Sequence, residues 1–217
     1  NFDVLGEFYR GYYLTPKGKA APVGESYYKR EDLTLDLIGI AAYRSLNKDR
    51  FSYQAGLLQN AWQKKPAGSF LAGAEVYYGS IHGDSTLTPA RLDTNARRLG
   101  INRIHFFEIG PGVGYAYTFV FREHFFALAS FSVNLAFRFS AEHSEFQQRS
   151  QTRVDFTPND IIHAGIGYND EKWCLSALWV STRLNVKGKI SDYRYGAATG
   201  NYRLVYARRF NVNHRVK

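Results

Sequence analysis

Hydrophobic and polar side chains alternate with a period of two along much of this chain. The clearest segment covers residues 125–140, FFALASFSVNLAFRFS. Its odd positions, from Phe125 to Phe139, carry no polar residue, whereas its even positions from Ser130 onward are small or polar and include Arg138. Alternation sustained over this length predicts a β-strand whose two faces meet different surroundings.

The segment before it repeats the pattern and predicts a hairpin. Bulky apolar residues occupy the odd positions from Val113 to Phe121, and small residues occupy the even positions from Gly112 to Thr118. Only Arg122, Glu123 and His124 separate the two segments, which is short enough for a tight turn.

Weaker versions of this alternation predict seven further strands. They cover residues 2–14, 33–44, 51–58, 70–79, 162–169, 178–184 and 201–210. The total of nine is odd, whereas bacterial outer-membrane barrels have even strand numbers. Either one of these strands is misassigned or one or more strands lie upstream of Asn1, and we expect the second.

The predicted connections are of two kinds. Three are short, at residues 46–49, 122–124 and 169–172, and three are long and polar, at residues 83–102, 141–159 and 187–200. Outer-membrane barrels place short turns in the periplasm and long loops outside. We count the nine strands back from the C-terminus and place the turns at 122–124 and 169–172 in the periplasm. Residues 15–30 and 63–69 then also lie in the periplasm, and residues 46–49 lie outside.

The small residues of the second face suit the crowded interior of a narrow barrel, so the bulky apolar face is expected to point outward, into lipid. We predict an all-β fold in which residues 1–217 form a single transmembrane, antiparallel up-and-down β-barrel of about 8–12 strands. Its predicted location is the bacterial outer membrane. The predicted lipid-facing residues are Tyr115, Tyr117, Phe119, Phe131, Val133, Leu135, Phe137, Tyr202, Leu204 and Tyr206.

Composition agrees with strands rather than helices as the membrane-crossing elements. No apolar stretch approaches the ~20 residues that a transmembrane helix needs, although aromatic residues reach 16%. A Tyr-rich soluble sandwich or lipocalin-like binder is the alternative. The net charge of +9 is distributed over turns and loops, which favours outer-membrane lipid and lipopolysaccharide as partners and argues against nucleic acid. Other outer-membrane proteins are further expected partners.

Four blocks of sequence resemble an uncharacterised Bacteroidota family of predicted outer-membrane barrels, a domain of unknown function. They are FYRGYYL (8–14), QNAWQKKPAGSFLAG (59–73), GPGVGYAYTFV (110–120) and GNYRLVYARRF (200–210). The resemblance implies architecture and location, with further strands before the first block. It implies no catalytic residue.

Charged residues gather on the predicted inner face. Charges enclosed in a narrow barrel must be paired or hydrated, so we predict a structural salt-bridge network, with a selectivity lining or a polar substrate pocket as the alternative. The members of this predicted lumen network are Glu75, Glu108, Arg138, His163, Arg183, Arg203 and Arg209.

The sequence predicts a non-enzymatic barrel, structural or accessory to a larger cell-envelope assembly. A narrow channel and an outer-membrane deacylase or phospholipase are the alternatives. The deacylase or phospholipase would use His163 as a base for Ser181, if both side chains project inward from adjacent strands. The six histidines show no metal-ligand spacing, and Cys174 has no cysteine partner, so neither a metal nor a cofactor is expected.

Overall fold

The protein forms a single eight-stranded antiparallel sheet whose strands follow one another in chain order. The computed structural model describes residues 2–89, 91–146, 150–191 and 194–210. The predicted all-β, antiparallel, up-and-down architecture is confirmed. The strands are β1 (Phe2–Leu14), β2 (Tyr28–Ser45), β3 (Ala67–His82), β4 (Ile101–Phe121), β5 (Phe125–Ser144), β6 (Ser150–Asn169), β7 (Trp173–Lys187) and β8 (Arg194–Arg208).

The sheet is strongly curved, because side chains of strands that are not neighbours meet on its inner face. Tyr43 on β2 hydrogen-bonds Asn134 on β5, and Asn159 on β6 hydrogen-bonds Glu75 on β3. In the residues described, β1 and β8 are the free edges, and the hydroxyl of Thr199 on β8 donates to the carboxylate of Glu7 on β1. The observed architecture is therefore a half-barrel of eight strands.

Two short helical segments interrupt the strands. A π-helical turn covers Gln54–Leu58, and helix α1 covers Thr94–Leu99. Among the described residues, neither these nor any other helical segment has the length and apolar character needed to traverse a membrane.

The predicted strand at residues 51–58 is wrong. The segment enters the concave side of the sheet, where Phe51, Tyr53 and Leu57 are buried. Its backbone makes local bonds, such as that from the Phe51 amide to the Asn47 carbonyl. Large side chains at alternate positions suit a chain inserted into a core as well as a strand, which is why the pattern alone misassigned it. We call residues 46–66 the inner segment.

With this correction the described residues form eight strands, an even number, and no upstream strand is needed to explain an odd count. The turns at 122–124 and 170–172 and the inner segment lie at one end of the sheet, the turn end. Residues 15–27, 83–89, 91–100, 145–146 and 188–191 lie at the other, the loop end. The link 15–30 and residues 46–49 were thus each predicted at the wrong end. The predicted loop 141–159 is mostly strand, since β5 runs to Ser144 and β6 starts at Ser150.

The interior is layered. An apolar cluster that includes Phe51, Leu128 and Leu178 fills the turn end, and another that includes Leu37, Phe106 and Leu184 fills the loop end. Charged and amide side chains lie between the two clusters, and these form the candidate site.

Candidate functional site

An ion pair between Glu108 and Arg138 forms the centre of the site. The two residues are register partners on β4 and β5, and both side chains are completely buried. The Arg138 Nε donates to Glu108 Oε2 at 2.6 Å, and Nη2 contacts the same oxygen. Arg138 also donates to the Asn185 carbonyl. Because the guanidinium is held from several directions, it is fixed in position.

Asn159 connects this pair to a second carboxylate. Its amide nitrogen donates to Glu75 Oε1 at 2.8 Å and to Glu108 Oε1 at 2.6 Å, while its oxygen accepts from Arg138 at 3.1 Å. Asp155 lies 4.0 Å from Arg138 and 3.5 Å from Arg153. Glu75 Oε2 has no hydrogen-bond partner among the described residues. Strands β3 to β6 are therefore joined through one polar layer.

The inner segment closes the turn end of the interior. Arg209 donates to the carbonyls of Gln59 at 2.8 Å and Ala61 at 3.2 Å, and to the side chain of Asn169 at 2.9 Å. The Tyr53 hydroxyl meets that of Ser130 on β5. A Cβ atom at Gly56 would lie only 2.8 Å from Leu128. The segment is thus anchored by charge-assisted hydrogen bonds and fitted closely against β5.

A buried carboxylate holds the loop end. Glu142, fully buried on β5, accepts from the backbone amides of Ile190 at 2.5 Å and Ser191 at 2.9 Å, and from the Tyr195 hydroxyl at 2.8 Å. The Ser191 hydroxyl also donates to it. These bonds draw the connection between β7 and β8 inward over the interior.

Part of the predicted lumen network is brought together. Glu75, Glu108 and Arg138 share the polar layer described above. His163 is buried on the inner face, with Nε2 3.5 Å from the Asp3 carboxylate. The prediction is wrong for Arg183, which is exposed on the outer face between buried Thr182 and Leu184.

The two remaining arginines lie apart from the polar layer. Arg203 faces inward near the free edge of β8 but is exposed, beside a cavity of about 220 Å³ that His163 and Asp3 also line. Arg209 lies at the turn end, where it holds the inner segment.

The proposed catalytic pair of His163 and Ser181 is not formed. Ser181 is opposite Ile162 in the register of β6 and β7, one position away from His163. Since successive side chains of a strand point to opposite faces, Ser181 projects outward and His163 inward. No proton transfer between them is possible in this arrangement.

Several residues of the site escaped the sequence analysis. Asn159 and Asp155 fell within the predicted loop 141–159, and Glu142 at its start. Alternation does not identify Tyr43 and Asn134 as partners, because β2 and β5 are separated in both sequence and sheet order. Once the β5–β6 connection is shortened, the alternation of residues 153–161 would reveal Asp155 and Asn159 as inward-facing.

The outer face carries the opposite chemistry to the inner face. Each residue predicted to face lipid is exposed, for example Phe131 at 51% and Leu135 at 54%, beside Ser132 at 2% and Asn134 at 0%. The exposed set also contains further apolar residues of β3 to β6, among them Phe70, Val76, Phe107, Ile109, Val113, Phe139, Val154, Phe156 and Ile166.

Aromatic rings are stacked at the turn end. Trp62, His124, Tyr168 and Trp173 form a column with successive centroid separations of 5.2, 5.2 and 4.7 Å and interplanar angles of 11–23°. The Lys64 ammonium lies 4.2 Å from the Trp62 ring centroid. This column joins the inner segment to the turns that follow β4 and β6.

The described residues contain no cluster of three or more His, Cys, Asp or Glu side chains arranged to bind a metal ion. What they define is an antiparallel β-sheet protein with an apolar exterior and a packed, partly charged interior. The chain belongs to the family described as Domain of unknown function (DUF4421), whose model matches residues 1–210. No curated protein matches the chain, and neither does any solved structure.

Proposed function

We propose that this chain is an integral β-barrel of a bacterial outer membrane, non-enzymatic, and a structural or accessory subunit of a larger envelope assembly. One observation carries the proposal: the polarity of the two faces is inverted relative to a water-soluble sheet. Arg138, Glu108 and Glu142 are buried, while Phe, Tyr, Ile and Val side chains cover the outside. A lipocalin-like binder would need the reverse arrangement.

The free edges of β1 and β8 bear on this proposal. Unpaired backbone amides and carbonyls are costly in hydrocarbon, so spanning sheets close into barrels. The contact between Thr199 and Glu7 already links the inner faces of the two edge strands. Closure of the sheet is therefore part of the proposal.

The ring column at the turn end supports a membrane boundary at that level. Aromatic girdles flank the apolar band of outer-membrane barrels, where amphipathic rings lie among the headgroups. The ammonium of Lys64 beside Trp62 adds a positive charge suited to lipid phosphate. Outer-membrane lipid and lipopolysaccharide are the proposed surroundings of the outer face.

The interior is obstructed at three levels, which favours a structural role over conduction. The inner segment obstructs the turn end, the polar layer crosses the middle, and Glu142 holds a connection across the loop end. A narrow channel would instead need a continuous hydrated path. Planar-bilayer recordings of the purified protein should therefore show no single-channel steps.

Location and membrane integration are tested on the full-length protein in its native cells. We expect it in the outer-membrane fraction, resistant to carbonate extraction, and with a gel mobility that changes on boiling, as for folded barrels. A protein that instead purifies without detergent as a monodisperse monomer would overturn the proposal.

A further inference from the structure

Two charged residues of opposite sign lie side by side on the outer face. Asp160 on β6 and Arg183 on β7 are register partners, so both project to the same side of the sheet. Each alternates with buried neighbours, Asn159 and Ile161 in one case and Thr182 and Leu184 in the other. Within the part of the chain that the structure describes, neither makes an ion pair or a side-chain hydrogen bond.

The surroundings of Asp160 on β5 and along β6 are apolar. Asp160 is opposite Val133 on β5, and Pro158 and Ile162 lie on either side of it on the outward face of β6. A charge on the lipid side of a barrel wall is unfavourable, most strongly near the midplane. If the outer face meets lipid, each charge needs a partner of opposite sign, and in this structure the two side chains do not pair with each other.

The outward side chains of β8 beside this pair are unusually small. The residues opposite Asn185, Arg183 and Ser181 are Gly196, Ala198 and Gly200, whereas bulky Tyr202, Leu204 and Tyr206 follow at the next outward positions. Small outward residues allow another wall to approach closely. We call the resulting surface the β6–β8 patch: Asp160, Ser181, Arg183, Asn185, Gly196, Ala198 and Gly200.

We propose that the β6–β8 patch binds the same patch of a second copy of this chain, forming a two-fold dimer within the membrane. The inference rests on the proposed function, since in water these charges would be solvated. A two-fold axis brings residue i of one copy against residue j of the other and j against i. One acid beside one base satisfies that requirement, because Asp160 of each copy then faces Arg183 of its partner.

Charge complementarity is the reason for choosing a second copy over an unrelated protein. A patch of one sign would need a partner of the opposite sign, whereas this patch complements itself. The pairing also removes both unpaired charges at once, and the small side chains of β8 bring the facing walls close enough for Asp160 and Arg183 to meet.

The test uses full-length protein in lipid nanodiscs, with oligomeric state measured by native mass spectrometry. Wild type should be dimeric. Asp160→Arg places two positive charges in each patch and Arg183→Asp two negative charges, so each variant alone should be monomeric. An equal mixture of the two variants should form heterodimers, because every facing pair is then of opposite sign. Pairing within a single chain would not give this rescue.

A second comparison does not change charge. Ala198→Leu adds bulk to the β6–β8 patch and should lower the dimer fraction at least tenfold. Ala72→Leu makes the same change at an exposed outward position on β3, away from the patch, and should leave the dimer intact. Heat-modifiable gel mobility verifies that every variant is folded.

The outcomes separate this inference from the proposed function. Wild type that integrates into bilayers but stays monomeric overturns the dimer alone, as do single variants that dimerise like wild type or a mixture that stays monomeric. A chain that fails to integrate into any bilayer overturns the proposed function, and the dimer with it.

Discussion

Arg138 on β5 and Glu108 on β4 face each other in register, and their fully buried side chains form an ion pair inside the sheet. In water-soluble sheets such a pair is usually at the surface. Here it occupies the layer between two apolar clusters, so its hydrogen bonds must replace the lost hydration. Asn159 and the Asn185 carbonyl supply part of that replacement.

Removing one partner should therefore be strongly destabilising. We expect Arg138→Met to lower the free energy of unfolding by about 3–5 kcal/mol, because Glu108 would be left buried and unpaired. Urea unfolding in lipid vesicles, followed by tryptophan fluorescence, measures the change.

The control is Arg44→Met, the same substitution at an exposed position near the end of β2, which should cost less than ~1 kcal/mol. The double variant Arg138→Met/Glu108→Leu should lose less than the sum of its single variants. Additive losses would show that the two side chains do not interact.

The inner segment should depend on Arg209. Arg209→Ala removes the hydrogen bonds to Gln59, Ala61 and Asn169, and should increase the rate of trypsin cleavage after Lys64 several-fold. Arg208→Ala is the matched control, since Arg208 is exposed and contacts the ring of Phe210. Equal cleavage rates in the two variants would contradict an anchoring role for Arg209.

The outward apolar face can be tested with two equivalent substitutions. Leu135 on β5 and Leu46 in the inner segment are exposed by 54% and 64%. If β5 crosses lipid near Leu135, Leu135→Arg should cost roughly 2–4 kcal/mol, whereas Leu46→Arg, outside the strands, should be nearly neutral. Unfolding in vesicles distinguishes them. In a water-soluble protein both changes would be tolerated alike.

The contact between Asp32 and Arg30 should stabilise the loop end to a degree that depends on pH. Asp32 lies in the part of β2 that extends beyond β3. Arg30 donates to both Asp32 oxygens at 2.7 Å and to the Thr86 carbonyl at 2.6 Å, and the Asp84 amide donates to Asp32 at 2.8 Å. The Arg30 hydrogen bonds hold the pKa of the Asp32 carboxyl well below its ordinary value of 3.8.

The depressed pKa of Asp32 determines how this contact changes stability with pH. The stabilisation by the ionised Asp32 carboxylate is complete above its unfolded-state pKa and is lost as the pH falls through its folded-state pKa. At pH 7, Asp32→Asn should speed trypsin cleavage after Arg91 in the connection between β3 and β4. The difference in thermal stability between wild type and Asp32→Asn should be constant from about pH 7 to 5 and shrink below about pH 4. A difference that grows on acidification would contradict the assignment.

Site residues could be assigned correctly from the sequence only on strands whose two faces differ clearly in side-chain size. On β4 and β5 one face is bulky and the other small, so alternation alone assigned Glu108 and Arg138 to the same interior. On β7 both faces contain large apolar residues, such as Leu178 and Trp179, and the alternation did not identify the inner one. Arg183 was misplaced for that reason, and the pairing of β7 with β6 and β8 corrected it.

The β class, the hairpin of β4 and β5, and the segregation of bulky apolar from small and charged side chains follow from the residues alone, because a period of two is a local property of the backbone. Three arrangements needed the folded chain: Phe51 and Tyr53 fill the interior, Asn159 bridges Glu75 and Glu108, and Asp160 and Arg183 lie together outside. Those arrangements depend on curvature and register between strands far apart in the chain, and hydrophobic alternation along a single strand carries no information about either.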